Sequence, residues 1–262
     1  MFELYTSSVI WGEQSLERAC REASGLGLKR LDLWHVKGWC EHLGAGAAEA
    51  GRVLRDHGLS CESLSVYNWP LSEIPKFLEA AADLEATAVI TGSPGPEAGV
   101  SSFCREIESL AHGAADLGVV LAVENHGRAV VDSTASMEDM CRTLSSPGLG
   151  LALAPIHLHN LGEDTAEAVR RLKGRIAVFY AWDWGPKARK NWKDPDDQLV
   201  GTGEIDHGPI FKALKETGFP HPLQVFAHGL EHRPPEEATS RLARALDHLK
   251  ALEAAIPARQ LK

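Results

Sequence analysis

Short runs rich in Val, Ile and Leu alternate with longer stretches that mix apolar and charged positions along the whole chain. The runs fall at 3–10, 29–35, 59–67, 87–92, 118–125, 149–157, 175–182 and 222–228. Strands of a parallel sheet, buried on both faces, read as near-continuous apolar runs of this kind. The stretches between them, at 14–24, 45–57, 72–84, 101–116, 135–145, 163–173, 206–217 and 236–254, carry apolar residues at helical spacing. Gly27, Gly58, Gly118, Gly148, Gly174 and Gly218 stand where a helix closes before the next strand. Glycine suits the left-handed position at which a helix stops. Eight strand–helix units of about 30 residues predict an α/β fold, a (β/α)8 barrel, with residues 1–262 as one domain. An open doubly wound sheet would carry G-x-G-x-x-G between an early strand and its helix. No such turn occurs near Ile10 or Val36, and the only related text is Gly201-Thr202-Gly203.

Composition narrows the classes. The 262 residues hold 27 Lys and Arg against 36 Asp and Glu, a formal charge of −9. With 44% hydrophobic and 24% charged residues the chain has ample material for a core, so disorder is excluded. The acidic balance speaks against a nucleic-acid partner, which needs a clustered basic surface. Leu117–Val123 is among the longest apolar runs. It is far short of the roughly 18 residues that cross a bilayer, so no membrane association is expected. Residues 1–25 lack the basic, apolar, small-residue order of a secretory signal. Cys20, Cys40, Cys61, Cys104 and Cys141 are odd in number and form no CxxC pair. Free thiols in a reducing, cytoplasmic setting are the expectation.

The active face of a (β/α)8 barrel is the C-terminal end of its strands. Polar and aromatic residues gather there: Trp11 after the first run, Asp32, Trp34 and His35 on the second, Tyr67 after the third. Glu124, Asn125 and His126 end the fifth run, and His157 and His159 the sixth. Tyr180, Trp182 and Asp183 end the seventh, and Gln224, Phe226 and His228 the eighth. Alternation along a strand puts Glu124 and His126 on one face and Asn125 on the other, and groups Tyr180 with Trp182. His157 and His159 share a face if their strand persists. A carboxylate at the end of the buried run 119–123 is costly unless it is paired or binds a ligand, which singles out Glu124 as base or metal ligand. Trp11, Trp34, Trp69, Trp182 and Trp184 all fall at or just past strand ends. Aromatic faces there suit the apolar side of a sugar ring. The one long irregular segment, 183–203, carries Lys187, Arg189, Lys190 and Lys193, candidates for gripping a phosphate or carboxylate.

Gly27-Leu-Lys-Arg-Leu-Asp32, Leu121-Ala-Val-Glu124-Asn125-His126, Leu151-Ala-Leu-Ala154-Pro-Ile-His157 and Val200-Gly-Thr-Gly-Glu-Ile-Asp206 together resemble the sugar-phosphate isomerase/epimerase family of the xylose-isomerase-like barrels. The resemblance covers most of the chain. It implies ketose–aldose isomerisation or epimerisation beside a carbonyl, on a small sugar, sugar phosphate or polyol derivative. Related barrels are dehydratases and lyases. The resemblance also implies one divalent ion (Mn, Mg, Co or Zn) at the barrel mouth, and allows a homo-oligomer. Its ligand pattern is Glu, Asp, His and Glu on the last four strands. Glu124 matches, but the other three positions fall on Ala154, Tyr180 and Phe226. Ala and Phe bind no cation, and a hard cation needs several oxygen or imidazole ligands.

Three readings stay open. In the first, a metal-independent enzyme uses Glu124 as base and His157 or Asp183 as acid. In the second, a relocated divalent metal is held by Glu124, His157, Asp183 and His228. The third is an inactive carbohydrate-binding barrel. Trp11, Asp32, Trp34, Tyr67, Asn125, His126, Tyr180, Trp182, Phe226 and His228 are the candidate substrate contacts. A small-molecule carbohydrate is the expected ligand.

Overall fold

In a computed structural model of the chain, which describes residues 1–256, each apolar run becomes a strand with two packing environments. The strands are β1 (Leu4–Ser7), β2 (Arg30–Val36), β3 (Cys40–Glu41), β4 (Ser60–Ser65), β5 (Ala88–Thr91), β6 (Val120–Glu124), β7 (Leu149–Leu153), β8 (Ile176–Ala181) and β9 (Leu223–Val225). All but β3 run parallel in one sheet. β1 pairs with β2 (Thr6 to Leu31) and with β9 (Thr6 to Val225), which closes the sheet into an eight-stranded barrel. β3 is an antiparallel extension on β2, pairing Val36 with Cys40. The sequence pattern gave no sign of it, because a two-residue strand has no periodicity.

The helices are α1 (Leu16–Gly25), α2 (Ala47–Asp56), α3 (Ile74–Asp83), α4 (Val100–Asp116), α5 (Thr134–Thr143), α6 (Pro155–Leu161), α7 (Thr165–Arg171), α8 (Pro186–Lys190), α9 (His207–Thr217) and α10 (Pro235–Ala254). Among the described residues no helix is long and apolar enough to cross a membrane. All five cysteines are free.

Strand alternation sorts side chains cleanly. Leu31, Leu33, Leu121, Val123, Leu151, Phe179, Leu223 and Val225 face the helices and join the large outer core. Each such buried side chain is worth about 1.5–3 kcal/mol relative to exposure. The opposite faces supply Trp34, Ile90, Ala122, Ala152, Val178, Tyr180 and Phe226 to a second cluster that fills the barrel interior. Small residues are needed where that interior narrows. A Cβ on Gly150 would meet Val120 Cγ1 at 2.7 Å and Ala177 Cβ at 3.0 Å.

Two boundaries differ from the sequence pattern in ways that matter for the site. The run 149–157 is strand only to Leu153, because Pro155 has no N–H to continue the ladder and opens α6 instead. His157 and His159 therefore sit on a helix and not on one strand face. The segment 183–203 is not irregular throughout, since α8 occupies Pro186–Lys190.

Candidate active site

Glu124 ends β6 on the interior side and is 6% exposed. Helix α6 brings His157 over it, with His157 Nε2 3.7 Å from Glu124 Oε1. The ring of His126, just past β6, lies 4.4 Å from that of His157, centroid to centroid. Burial alone would raise the Glu124 pKa. The imidazoles of His157 and His126 and the Tyr67 hydroxyl outweigh it and hold the carboxyl below its ordinary value. Burial pushes His157 down, with Glu124 opposing. At neutral pH the pair is a carboxylate beside a neutral imidazole.

An aromatic cluster packs beside this pair, with Trp182 edge-on to His157 at 6.0 Å. Trp34 on β2 stacks on Phe226, which follows β9, at 5.6 Å. Trp182, after β8, meets Phe226 at 4.8 Å and His228 at 5.2 Å. Burial lowers the His228 pKa to about 3, so this ring is neutral. Tyr67, after β4, and Tyr180, on β8, place their hydroxyl oxygens 2.9 Å apart. Polar atoms around this cluster that are buried without a hydrogen-bond partner among the described residues include Trp34 Nε1, His157 Nε2, Trp184 Nε1 and His228 Nδ1. Buried polar groups are nearly always paired, so such orphans mark where a polar ligand is expected.

Four predicted site residues are placed elsewhere. Trp11 joins the outer core and donates from Nε1 to Thr239 Oγ1 at 3.1 Å, so it does not join this cluster. Asp32 faces the interior but is fully buried, accepting from the hydroxyls of Ser7 (2.7 Å), Ser63 (2.8 Å) and Ser65 (3.0 Å). Burial still raises its pKa to about 6. Asn125 is spent on the backbone of Ala154, accepting from its N–H at 2.7 Å and donating to its carbonyl at 3.1 Å. Asp183 accepts four backbone N–H bonds, from Trp184 (2.8 Å), Gly201 (3.0 Å), Gly203 (2.9 Å) and Ile205 (3.0 Å). Its carboxylate fastens the following loop and is not free to move a proton. Glu124, His157, His126, Trp34, Tyr67, Tyr180, Trp182, Phe226 and His228 are brought together.

Sequence reasoning missed two residues. Trp39, carried by the β2–β3 turn, stacks on His228 at 5.3 Å. Gln198, fully buried, accepts from Trp182 Nε1 (3.2 Å) and from the backbone N–H of His228 (3.0 Å). It also donates to the carbonyls of Trp192 (2.7 Å) and Asp194 (2.6 Å), pinning the loop to the mouth. No pattern in the sequence marks either residue. Two of the four loop cations are paired with carboxylates. Lys187 pairs with Asp196 at 2.8 Å and Arg189 with Glu204 at 2.7 Å. His159 lies 4.0 Å from the same Glu204, away from Glu124.

The donor set does not fit a divalent ion. Ala154 and Phe226 have no ligand atoms, and the Asp183 carboxylate is fully engaged. Among the described residues no group of three His, Cys, Asp or Glu side chains is arranged so that it could hold a metal ion. Glu124, His157, Asp183 and His228 do not form such a group among the described residues.

Solved structures with the same architecture include L-ribulose 3-epimerase, 16% identical, covering 97% of this chain and 95% of that one at a TM-score of 0.79. The IOLI protein with a bound zinc atom is 17% identical over 98% and 99%, TM-score 0.79. The probable 3-DHS dehydratase AsbF of petrobactin synthesis from Bacillus anthracis is 14% identical over 94% and 98%, TM-score 0.75. At these identities the likeness speaks for the fold. No curated protein matches the chain. The model of the xylose isomerase-like TIM barrel family matches residues 20–252, and the chain belongs to that family.

Proposed function

We propose that this barrel moves a proton at carbon beside a carbonyl of a small carbohydrate or polyol derivative, as an isomerase or epimerase does, with Glu124 as the base. One observation carries the reading: an ionised, buried carboxylate beside a neutral imidazole borders an aromatic cluster with unpartnered polar atoms. Flat rings suit the C–H face of a sugar, while Trp34 Nε1, His157 Nε2 and His228 Nδ1 suit its hydroxyls. A positioned acid or base of this kind contributes about 10²–10⁴-fold in rate. The sugar chemistry of structural neighbours such as L-ribulose 3-epimerase supports the same class. Free thiols fit a cytoplasmic setting. The ligand is a small molecule, and neither nucleic acid nor membrane enters the reading.

The test is proton exchange. The protein is incubated in deuterated water with a panel of free aldoses and ketoses, L-ribulose among them, and the C–H signals are followed by NMR. Exchange at one carbon beside the carbonyl is expected, and Glu124→Gln abolishes it. Exchange that survives this substitution removes Glu124 as the base. Binding without turnover is a second reading, and the engagement of Asp183 by four N–H donors favours it, since one candidate acid is withdrawn. Sugar binding with no exchange across the panel would establish it.

A further inference from the structure

Removing a proton beside a carbonyl leaves negative charge on the carbonyl oxygen. A working site must meet that charge with a cation or with well-placed hydrogen-bond donors. The side chains around Glu124 do not fit a cation: two of the expected ligand positions are Ala154 and Phe226, and among the described residues no group of three His, Cys, Asp or Glu is arranged so that it could hold one. The same cluster instead holds two phenols. Tyr67 comes from the end of β4 and Tyr180 from β8, strands separated by β5, β6 and β7 in the ring, yet their hydroxyl oxygens meet at 2.9 Å. Tyr180 is 1% exposed, whereas Tyr67 is only half-buried and lies on the Glu124 side, where its hydroxyl stabilises the carboxylate. One O–H of the pair is used between the two rings. With Tyr180 donating to Tyr67, the Tyr67 proton turns to Glu124 in the free protein and is the one a ligand oxygen would take. A donor that itself accepts a hydrogen bond is polarised and donates more strongly.

We propose that Tyr67, backed by Tyr180, is the oxyanion donor of this site, and that proton transfer here needs no bound cation. The inference rests on the proton-transfer reading above. In the step, the Glu124 carboxylate takes the C–H proton, and the C–H electron pair becomes the carbon–carbon π bond. The carbonyl π pair moves onto oxygen, where the Tyr67 O–H holds it by a hydrogen bond without giving up its proton. The Glu124 carboxyl exchanges its proton with solvent and then delivers one to that carbon, the oxygen lone pair re-forms the carbonyl π bond, and the charge collapses. Burial, reinforced by the charge of Glu124, keeps both phenols protonated far above neutral pH. Tyr67 touches the reacting oxygen and is a catalytic residue, while Tyr180 is a positioning residue.

The test compares exchange of L-ribulose protons by wild-type protein, by protein stripped with EDTA and verified metal-free by elemental analysis, and by Tyr67→Phe and Tyr180→Phe. Sugar affinity is read separately from tryptophan fluorescence, and folding from thermal melts. Metal-free protein is expected to exchange at the untreated rate. Tyr67→Phe should lower kcat about 10²-fold, as loss of one oxyanion donor does elsewhere, with sugar affinity unchanged. Tyr180→Phe should lower kcat by a smaller factor, again without change in affinity. Exchange lost with EDTA and restored by Mn²⁺ or Zn²⁺ overturns this inference and leaves Glu124 as the base. Phenylalanine variants that match wild type overturn it as well. A wild-type protein that exchanges no proton of any sugar overturns both readings together.

Discussion

His157 Nε2 stands 3.7 Å from Glu124 Oε1, too far for a direct hydrogen bond and close enough for each to set the other's charge. His157 and His126 together keep Glu124 ionised against the pull of burial. A group held below the ordinary carboxylate value of 4.5 is a deprotonated base at every higher pH. The rate of proton exchange is therefore expected to be level across neutral pH, with its acid limb below 4.5. His157→Asn removes the largest opposing influence, so burial prevails and the acid limb moves upward. A pH–rate profile of both proteins checks this. An unmoved limb in the variant would mean that His157 does not govern the carboxylate.

Asp183 does for the loop what a cap does for a helix. Each of its oxygens takes two backbone N–H groups, Trp184 and Ile205 on Oδ1, Gly201 and Gly203 on Oδ2. Asp183→Asn turns one of these oxygens into an amide that faces two donors. Leaving buried groups unsatisfied costs about 1–3 kcal/mol each. A fall in stability of that order is expected, with faster proteolysis inside 183–203 than elsewhere. Gly203→Ala should act similarly, because its Cβ would lie 2.4 Å from Asp183 Oδ1 and 2.7 Å from the Asp197 carbonyl. Thermal melts and limited proteolysis of the two variants give the answer.

The barrel was legible because parallel strands and amphipathic helices carry different periodicities, and eight repeats of that contrast leave few architectures. Glu124 was legible because a carboxylate ending an apolar strand contradicts its surroundings. Asp32, Asn125 and Asp183 look the same in the sequence, yet each is satisfied by partners that only the fold supplies: three serines from two other strands, one backbone unit of Ala154, four loop amides. Trp11 was misplaced for a different reason. Its strand ends at Ser7, and the turn of 3-10 helix over Ser8–Trp11 rotates the indole out toward α10. Gln198 carries no pattern at all. Its importance is a matter of four hydrogen bonds formed after the loop has folded.

Asp32 makes a prediction of opposite sign to the acidic groups that stabilise most proteins. Its folded pKa is raised from 3.8 to about 6 by burial, despite three serine donors. The folded protein therefore holds a proton that the unfolded chain releases, so this contribution to stability is present at low pH and is lost as pH rises toward 6. His228 runs the other way, its pKa lowered to about 3 by burial, so stability falls as pH drops below 6.5. Comparing Asp32→Asn with wild type cancels the histidine effect. Between about pH 4.5 and about pH 7.5 the variant is expected to gain about 2 kcal/mol relative to wild type. Urea unfolding at the two pH values measures the difference.

Gln198 links the loop to the aromatic cluster, and removing its amide separates the two. Gln198→Leu keeps most of the volume but deletes the acceptor for Trp182 Nε1 and for the His228 backbone, and the donor to Trp192 and Asp194. Trp182 and His228 then lose the contact that fixes their rings 5.2 Å apart, while Glu124 and His157 on β6 and α6 are untouched. The expected result is a rise in KM for sugar with little change in kcat, since the cluster binds and the carboxylate reacts. Loss of kcat with unchanged KM would place Gln198 in the proton-transfer step instead. Tryptophan fluorescence should report a looser environment in the variant before any sugar is added, because Trp182 and Trp192 sit at the two ends of the bonds removed.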